Sequence, residues 1–365
     1  MMNTISLEYA GKKSRENILK PITDVQVKEL NNKESSNLLL YGDNIKGLYY
    51  LLYNLDLKES IDLIYIDPPY NTGRAFRMGG TISRSEKDQL AYNDNLPFNE
   101  YLEFIRERII LLHQLLSDKG SFYLHCDYKV GHYLKIICDE IFSKNNFRCD
   151  ITRRKTNSKN FKRRTYGNIK DCILFYTKTD EYIWNYPTVP YSDEDIRRLY
   201  NKIDNNGNRY TTESITAPGD VVTGTTGKEW RGILPPKGRH WCTNQTILDE
   251  WDKQGLIEWS KNGNPRKIVY AMDRIRKGKP LQDIWDYRDP SKPQYPTAKN
   301  KELLQTIIQA SSNQDSIVLD CFSGSGTTLE CANGLNRQYI GMDNSKESIK
   351  ILTEKFKDAK QIQIN

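Results

Sequence analysis

Short runs of consecutive apolar residues alternate along this chain with stretches in which apolar positions recur every three or four residues. Leu38 to Tyr41 is one such run; it stops at Gly42-Asp43-Asn44, and the helical spacing of Leu48, Leu51 and Leu52 follows. Ile61 to Ile66 stops at Asp67-Pro68-Pro69-Tyr70, where the prolines can continue neither a strand interior nor a helix. Ile317 to Leu319 ends at Asp320 and leads through Gly324-Ser325-Gly326-Thr327-Thr328 into a helix carrying Leu329 and Ala332. Gln338 to Gly341 ends at Met342-Asp343, before a helix that begins near Ser345. Short apolar runs bounded by turn residues suit strands buried on both faces, and their alternation with helices predicts a parallel sheet with right-handed crossovers. Ligands of such sheets lie beyond the carboxyl ends of the strands. Asp43, Asp67, Asp320 and Asp343 all fall there.

Between Tyr101 and Phe142 the pattern predicts a long amphipathic helix, a stop at Lys119-Gly120, a strand from Ser121 to Cys126 and a helix through Leu134, Ile137 and Ile141. A hairpin-like pair then brackets a basic block, with Cys172 to Tyr176 as its return strand. From about Thr177 to Trp285 glycine, proline, tryptophan and charge dominate, and the strand–helix rhythm is lost. The chain therefore divides into an α/β domain in two parts, 1–176 and 286–365, with a module at 177–285 inserted between them.

Composition changes this picture only in places. With 365 residues, 37% hydrophobic and 11% aromatic, the chain can bury a sizeable core and is not disordered. The net charge of +7 is modest, but Ile151 to Lys170 holds eight Lys or Arg and no Asp or Glu. The seven cysteines form no CxxC pair and the four histidines do not cluster with them, which disfavours a zinc site and predicts reduced core thiols. No apolar signal core or span-length stretch is seen, so a cytoplasmic location without membrane is expected.

Two constellations carry chemistry. Gly324 and Gly326 follow a strand and open a helix, so the backbone there can approach a ligand closely, and Asp343 at the end of the next strand can bind ribose hydroxyls. No GxxxxGK[ST] sequence exists, so the ligand is a nucleoside whose tail need not be a pyrophosphate; a helix N-terminus also accepts a carboxylate, such as that of S-adenosylmethionine. The Asp67-Pro68-Pro69-Tyr70 turn presents a carboxylate, a stiffened main-chain carbonyl at Pro68 and a flat aromatic face. Those groups suit an exocyclic amine, whose lone pair is delocalised into its ring: two acceptors for the amino hydrogens let the nitrogen pyramidalise toward an electrophilic methyl.

The segments IDPPYNTG (Ile66 to Gly73) and LDCFSGSGTT (Leu319 to Thr328) resemble motifs IV and I of the β-class DNA amino-methyltransferases, in the permuted order of that class. LLLYGDNIKGL resembles motif III, and YPTAKNKELLQTII resembles motif X. Lys228 to Tyr287, with EWRG, PPKGRHW, GNPRK and DIW, is similar to the recognition region of the DPPYNTG-type adenine methyltransferases. The resemblance implies a Rossmann-like S-adenosylmethionine-dependent methyltransferase fold, circularly permuted, with an inserted DNA-recognition module. It implies that Asp67, Pro68, Pro69 and Tyr70 hold the target base. It implies further that Phe322, Gly324, Gly326, Thr327 and Thr328 form the cofactor loop, that Asp343 binds the ribose, and that Asp43, Asp67, Asp320 and Lys299 lie against the cofactor. Asn300 stands where motif X usually has proline, so a looser turn is expected there.

The substrate so implied is double-stranded DNA, with a cognate restriction endonuclease and a homodimer left open as partners. Arg153, Arg154, Lys155, Arg163 and Arg164 are candidates for phosphate contacts, and Arg231, Arg239 and Arg266 for groove contacts. The long connection Asn71 to Phe98, with Gly73, Gly79 and Gly80, is expected to close over DNA. Transfer to the 6-amino group of adenine is the leading reading. Its rivals are transfer to the 4-amino group of cytosine, and a non-catalytic DNA-binding protein that keeps the cofactor fold.

Overall fold

The computed structural model of the chain describes residues 5–22, 25–70, 96–157, 162, 164–221, 224–289 and 299–365, with the backbone of 76–77 and 90–92. It divides into two compact units, Met1–Pro187 with Gln282–Asn365, and Thr188–Leu281.

The first unit is built on a sheet of ten strands: β1 Val27–Glu29, β2 Leu38–Tyr41, β3 Ile61–Ile66, β4 Leu116–Cys126, β5 Phe147–Arg154, β6 Lys170–Thr177, β7 Ile284–Trp285, β8 Ile317–Asp320, β9 Gln338–Asp343 and β10 Lys360–Ile364. Their order across the sheet is β1-β10-β2-β9-β8-β3-β4-β6-β5-β7. Strands β10 through β4 run parallel. Strands β6 and β5 form an antiparallel hairpin beside β4, and β1 closes the other edge antiparallel. The four strands named in the sequence from their apolar runs are four adjacent ones, β2, β9, β8 and β3.

Those strands read as unbroken apolar runs because both faces are covered. Leu38, Leu40, Ile64, Ile66 and Leu319 join the core formed with helices α1 (Asn44–Tyr53), α2 (Phe98–Leu115) and α3 (Gly131–Phe142). The alternate positions face the opposite layer, where the Tyr123 hydroxyl meets Ser311 Oγ of α4 (Lys301–Ser311) at 2.7 Å. Gly341 is packed against Leu329 of α5 (Thr327–Gly334) and Leu39 in that layer, and α6 (Lys346–Lys355) follows β9. Ile61, Leu63, Ile64 and Ile66 are fully buried, each contributing about 1.5–3 kcal/mol relative to an exposed side chain.

Two expectations change. Lys119-Gly120 is no break: β4 begins at Leu116, directly after α2, and passes through a register shift opposite Ile61 and Leu63. Gly120 suits that crowded place, where a Cβ would lie 2.6 Å from Leu116 and 2.9 Å from the Ile61 carbonyl. The smaller unit is also narrower than 177–285. Trp184 stacks on Phe175 at 5.7 Å between ring centroids, and Trp285 pairs with Arg153 in the large sheet, so both flanks stay with the first unit. Within the smaller unit, a four-stranded antiparallel sheet accompanies a separate core of Ile215, Trp230, Trp241, Leu248 and Ile257. Among the described residues no helix is long and apolar enough to cross a membrane.

Candidate active site

In sheet order β2, β9, β8 and β3, the carboxyl ends bring Asp43, Asp343, Asp320 and Asp67 into a row along one edge. With neighbouring strands about 4.8 Å apart, the row spans about 14 Å, the scale of a nucleoside with a short tail. Asp320 and Asp67 are neighbours on it. Burial pushes the Asp320 carboxyl up to about 7, assisted by the charges of Asp67 and Asp343 and only partly offset by the Thr328 side chain and the Phe322 N–H. Burial raises Asp343 as well, although its two oxygens accept from Gly324 N at 2.8 Å and Ser345 N at 2.9 Å.

The loop between β8 and α5 turns on glycines in left-handed conformations, Gly324 at φ +52° and Gly326 at φ +77°. A Cβ on Gly326 would lie 2.6 Å from Leu352 and 2.7 Å from Phe356, so the site demands glycine for space as well as for φ. Buried Ser323 braces the loop: its Oγ donates to the Asp320 carbonyl at 2.7 Å and accepts from Met342 N at 3.0 Å. Ser325 and Thr327 pair through their hydroxyls at 3.1 Å. Asp43 caps α1 by accepting from Ile45 N at 3.0 Å, and accepts from the buried Arg108 Nη2 at 3.2 Å. Arg108, not anticipated from the sequence, also donates to Asn44 at 2.6 Å and lies over the Phe104 ring, which approaches Phe322.

At the end of β3, the Tyr70 hydroxyl donates to Asp67 Oδ1. Lys299 Nζ lies 2.8 Å from Asp67 Oδ2 and 3.3 Å from the Tyr70 hydroxyl, so its charge is committed to the Asp67–Tyr70 turn rather than to the glycine loop. Burial draws Lys299 down, but Asp67, Asp171 and Asp289 outweigh it and hold the ammonium above the ordinary lysine range. Burial and the Asp67 charge push Tyr70 well up, so it remains a phenol.

Behind this turn stands a buried chain that the sequence reading missed. The Tyr65 hydroxyl is 2.8 Å from His125 Nδ1, and His125 Nε2 is 3.3 Å from Asp171 Oδ2. Burial, with the nearby Lys299 charge, lowers His125 and keeps the imidazole neutral, so Nε2–H donates to Asp171 and Nδ1 accepts from Tyr65. Asp171 is held well below the usual carboxylate range: burial opposes its charge, but His125, Lys155 and Lys299 outweigh burial. The available signal was a histidine inside the apolar strand Ser121 to Cys126, and an acid directly after the basic block.

Asn300, where a looser turn was expected, makes two side-chain hydrogen bonds. Its Oδ1 caps α4 by accepting from Leu303 N at 3.2 Å, and its Nδ2 donates to the Arg288 carbonyl at 2.9 Å.

The basic residues separate into classes. Arg153, read as a phosphate contact, is fully buried; its Nε donates to the Tyr287 carbonyl at 2.7 Å, and its guanidinium pairs with Asp171 and Asp289. Arg154 is exposed but paired with Asp286, and Lys155 lies 2.5 Å from Asp171. Arg164 is exposed, whereas Arg163 and most of Asn71 to Phe98 lie outside the described residues. In the smaller unit Arg231 pairs with Asp252 and Asp249, Arg239 bonds Thr216, and Arg266 bonds Thr212. Among the described residues no group of His, Cys, Asp and Glu is arranged to hold a metal ion.

Residues 61–354 match the N6/N4 family of DNA methylases, and the chain belongs to that family of DNA methyltransferases. It is 38% identical over 364 residues to the type II methyltransferase M.EcaI of Enterobacter cloacae, across 96% of this chain and 77% of that protein. It is 28% identical over 383 residues to the StyLTI Mod subunit, a type III restriction-modification enzyme of Salmonella typhimurium. That match takes in 92% of this chain but 56% of the Mod subunit, so the chain spans little more than half of that relative. Among solved structures, the M1.HpyAVI–SAM complex is similar at 18% identity and a TM-score of 0.44, over 87% of this chain and 98% of that one.

Proposed function

We propose that the protein transfers a methyl group from S-adenosylmethionine to the 6-amino group of adenine in duplex DNA, as the modification half of a restriction system. The observation that carries this reading is the Asp67 carboxylate, fixed by Lys299 and Tyr70 at the end of β3 beside the glycine loop and the carboxylate row. The glycines with positive φ, the carboxylates of Asp343 and Asp43 and the start of α5 form a cradle that fits a nucleoside with a charged amino-acid tail. When bound there, S-adenosylmethionine supplies an electrophilic methyl group on a sulfonium.

The chain's own residues would then act on the amine. A carboxylate has about four acceptor directions. Two of Asp67's are taken by Tyr70 and Lys299, which leaves room for an amino hydrogen. The Pro68 carbonyl takes the other hydrogen, and the nitrogen pyramidalises with its lone pair aimed at the methyl group. The Tyr70 ring stacks on the extruded base, a contact of about 1–3 kcal/mol. Catalysis is then positioning and electrostatics, with no proton abstracted before transfer. Afterwards the cationic nitrogen sheds a proton to Asp67, because Lys299 holds its own proton and cannot accept one.

The DPPY turn favours adenine over cytosine, and the type II and type III relatives support a modification role with a cognate endonuclease as partner. Transfer of tritiated methyl to plasmid DNA tests the core of this reading. Wild type should label the DNA and Asp67→Asn should label it about 10²–10³ times more slowly, while still binding it. Equal labelling by both would remove Asp67 from the chemistry.

A further inference from the structure

Strands β5 and β6 leave the large sheet at the edge where Asp67 lies. β4 runs parallel to β3 and ends at Cys126; Cys126 faces Cys172 near the start of β6, and Lys170 faces Arg154 at the end of β5. The hairpin continues outward, with Lys155 N donating to the Ile169 carbonyl at 2.9 Å. Its paired part therefore passes the carboxyl end of β4 on the side of the sheet edge where Asp67 lies, and β6 is two strand spacings, or about 10 Å, from β3.

Charge divides along this hairpin. Arg153, Arg154 and Lys155 at its base are consumed by Asp171, Asp289 and Asp286. Lys170, opposite Arg154, and Lys162 and Arg164 farther along the chain are exposed, and none has a carboxylate partner among the described residues. Between Arg164 and Lys170 stands Tyr166, 98% exposed, beyond even Tyr186 at 79% and Ile284 at 77%. Cations that follow a phosphate backbone, interleaved with an almost fully exposed aromatic, form a stacking site for nucleic-acid bases. At an edge where an amino group must leave the duplex to be methylated, the vacated place in the base stack is the surface that fits.

We propose that Tyr166 enters the duplex when the target base is extruded and fills the gap left in the stack, with Lys162, Arg164 and Lys170 holding the flanking phosphates. This role presupposes the methylation reading above and adds to it a residue that holds the extruded state open. The stacking contact is worth about a 10- to 100-fold change in rate.

The test uses two oligonucleotide duplexes carrying the site found by sequencing plasmid treated with the wild-type enzyme. One is fully paired; the other has an abasic site opposite the target base, which makes extrusion easy. Tyr166→Ala should lose about 10- to 100-fold in kcat/KM on the paired duplex and recover to within about threefold of wild type on the abasic one. Tyr166→Trp, which keeps the stacking face, should stay near wild type on both. Arg164→Ala should weaken both duplexes alike. The proposal is overturned if Tyr166→Ala equals wild type on paired DNA, or is impaired equally on the two. A wild-type enzyme that labels no DNA at all would instead overturn the methylation reading.

Discussion

Asp67 accepts from Tyr70 and from Lys299 at once, and each partner leaves a different trace when removed. In the proposed reaction, loss of Asp67 removes an acceptor for the amine, so Asp67→Asn should cost about 10²–10³ in kcat, the scale of losing one preorganised polar partner in an active site. Lys299→Met leaves the mostly buried Asp67 without its counter-charge, which should cost about 3 kcal/mol of stability. Adding Asp67→Asn to it should recover part of that loss in thermal denaturation, and simple additivity of the two would show that the pair is not coupled. Asp320 gives a pH signature. Burial lifts its carboxyl to about 7, above the ~3.9 of an unfolded chain, so between these values the folded state keeps a proton that the unfolded state has lost. Its contribution to stability is therefore fully present below pH ~4 and falls as the pH rises through 7. Asp320→Asn carries no charge at any pH, so its urea midpoint should gain on wild type from pH 5 to pH 8; parallel curves would contradict the assignment.

At the scale of elements, β2, β9, β8 and β3 were legible because strands buried on both faces leave unbroken apolar runs, and aspartates follow or close their carboxyl ends. The hairpin of β5 and β6 was legible for the same reason, from the run Cys172 to Tyr176. Arg153 was misread because its fate depends on Asp289, 136 residues away, and no local pattern announces a partner at that distance. His125 and Asp171 escaped notice similarly: each looks like an ordinary polar position until the strands pair and leave them buried side by side. The glycine loop offers a clean experiment. Gly326→Ala forces a side chain into φ +77° against Leu352 and Phe356, so S-adenosylmethionine affinity by calorimetry should fall about tenfold or more, equivalent to 1.4 kcal/mol. Gly334→Ala, in the same α5 with open space around it, should bind normally and gain about 0.5–1 kcal/mol of stability.

For the whole molecule, net charge says less than where unpaired cations lie. Arg153, Arg154 and Lys155 of the basic block are neutralised by Asp171, just after the block, and by Asp286 and Asp289 from a distant segment, whereas Lys162 and Arg164 have no carboxylate partner among the described residues. Replacing Lys162 and Arg164 together with alanine should lower the slope of log K for DNA against log salt by about 1.8, from about 0.9 per phosphate. Arg154→Ala, whose charge is already spent on Asp286, should leave that slope nearly unchanged. The central claim is that the turn at Asp67 holds the 6-amino group of adenine for methylation. It is tested most directly by digesting enzyme-treated plasmid to nucleosides and identifying the methylated product by mass. N6-methyladenine from wild type and at most a trace from Asp67→Asn after the same brief treatment is the expected result; N4-methylcytosine as the product would contradict it.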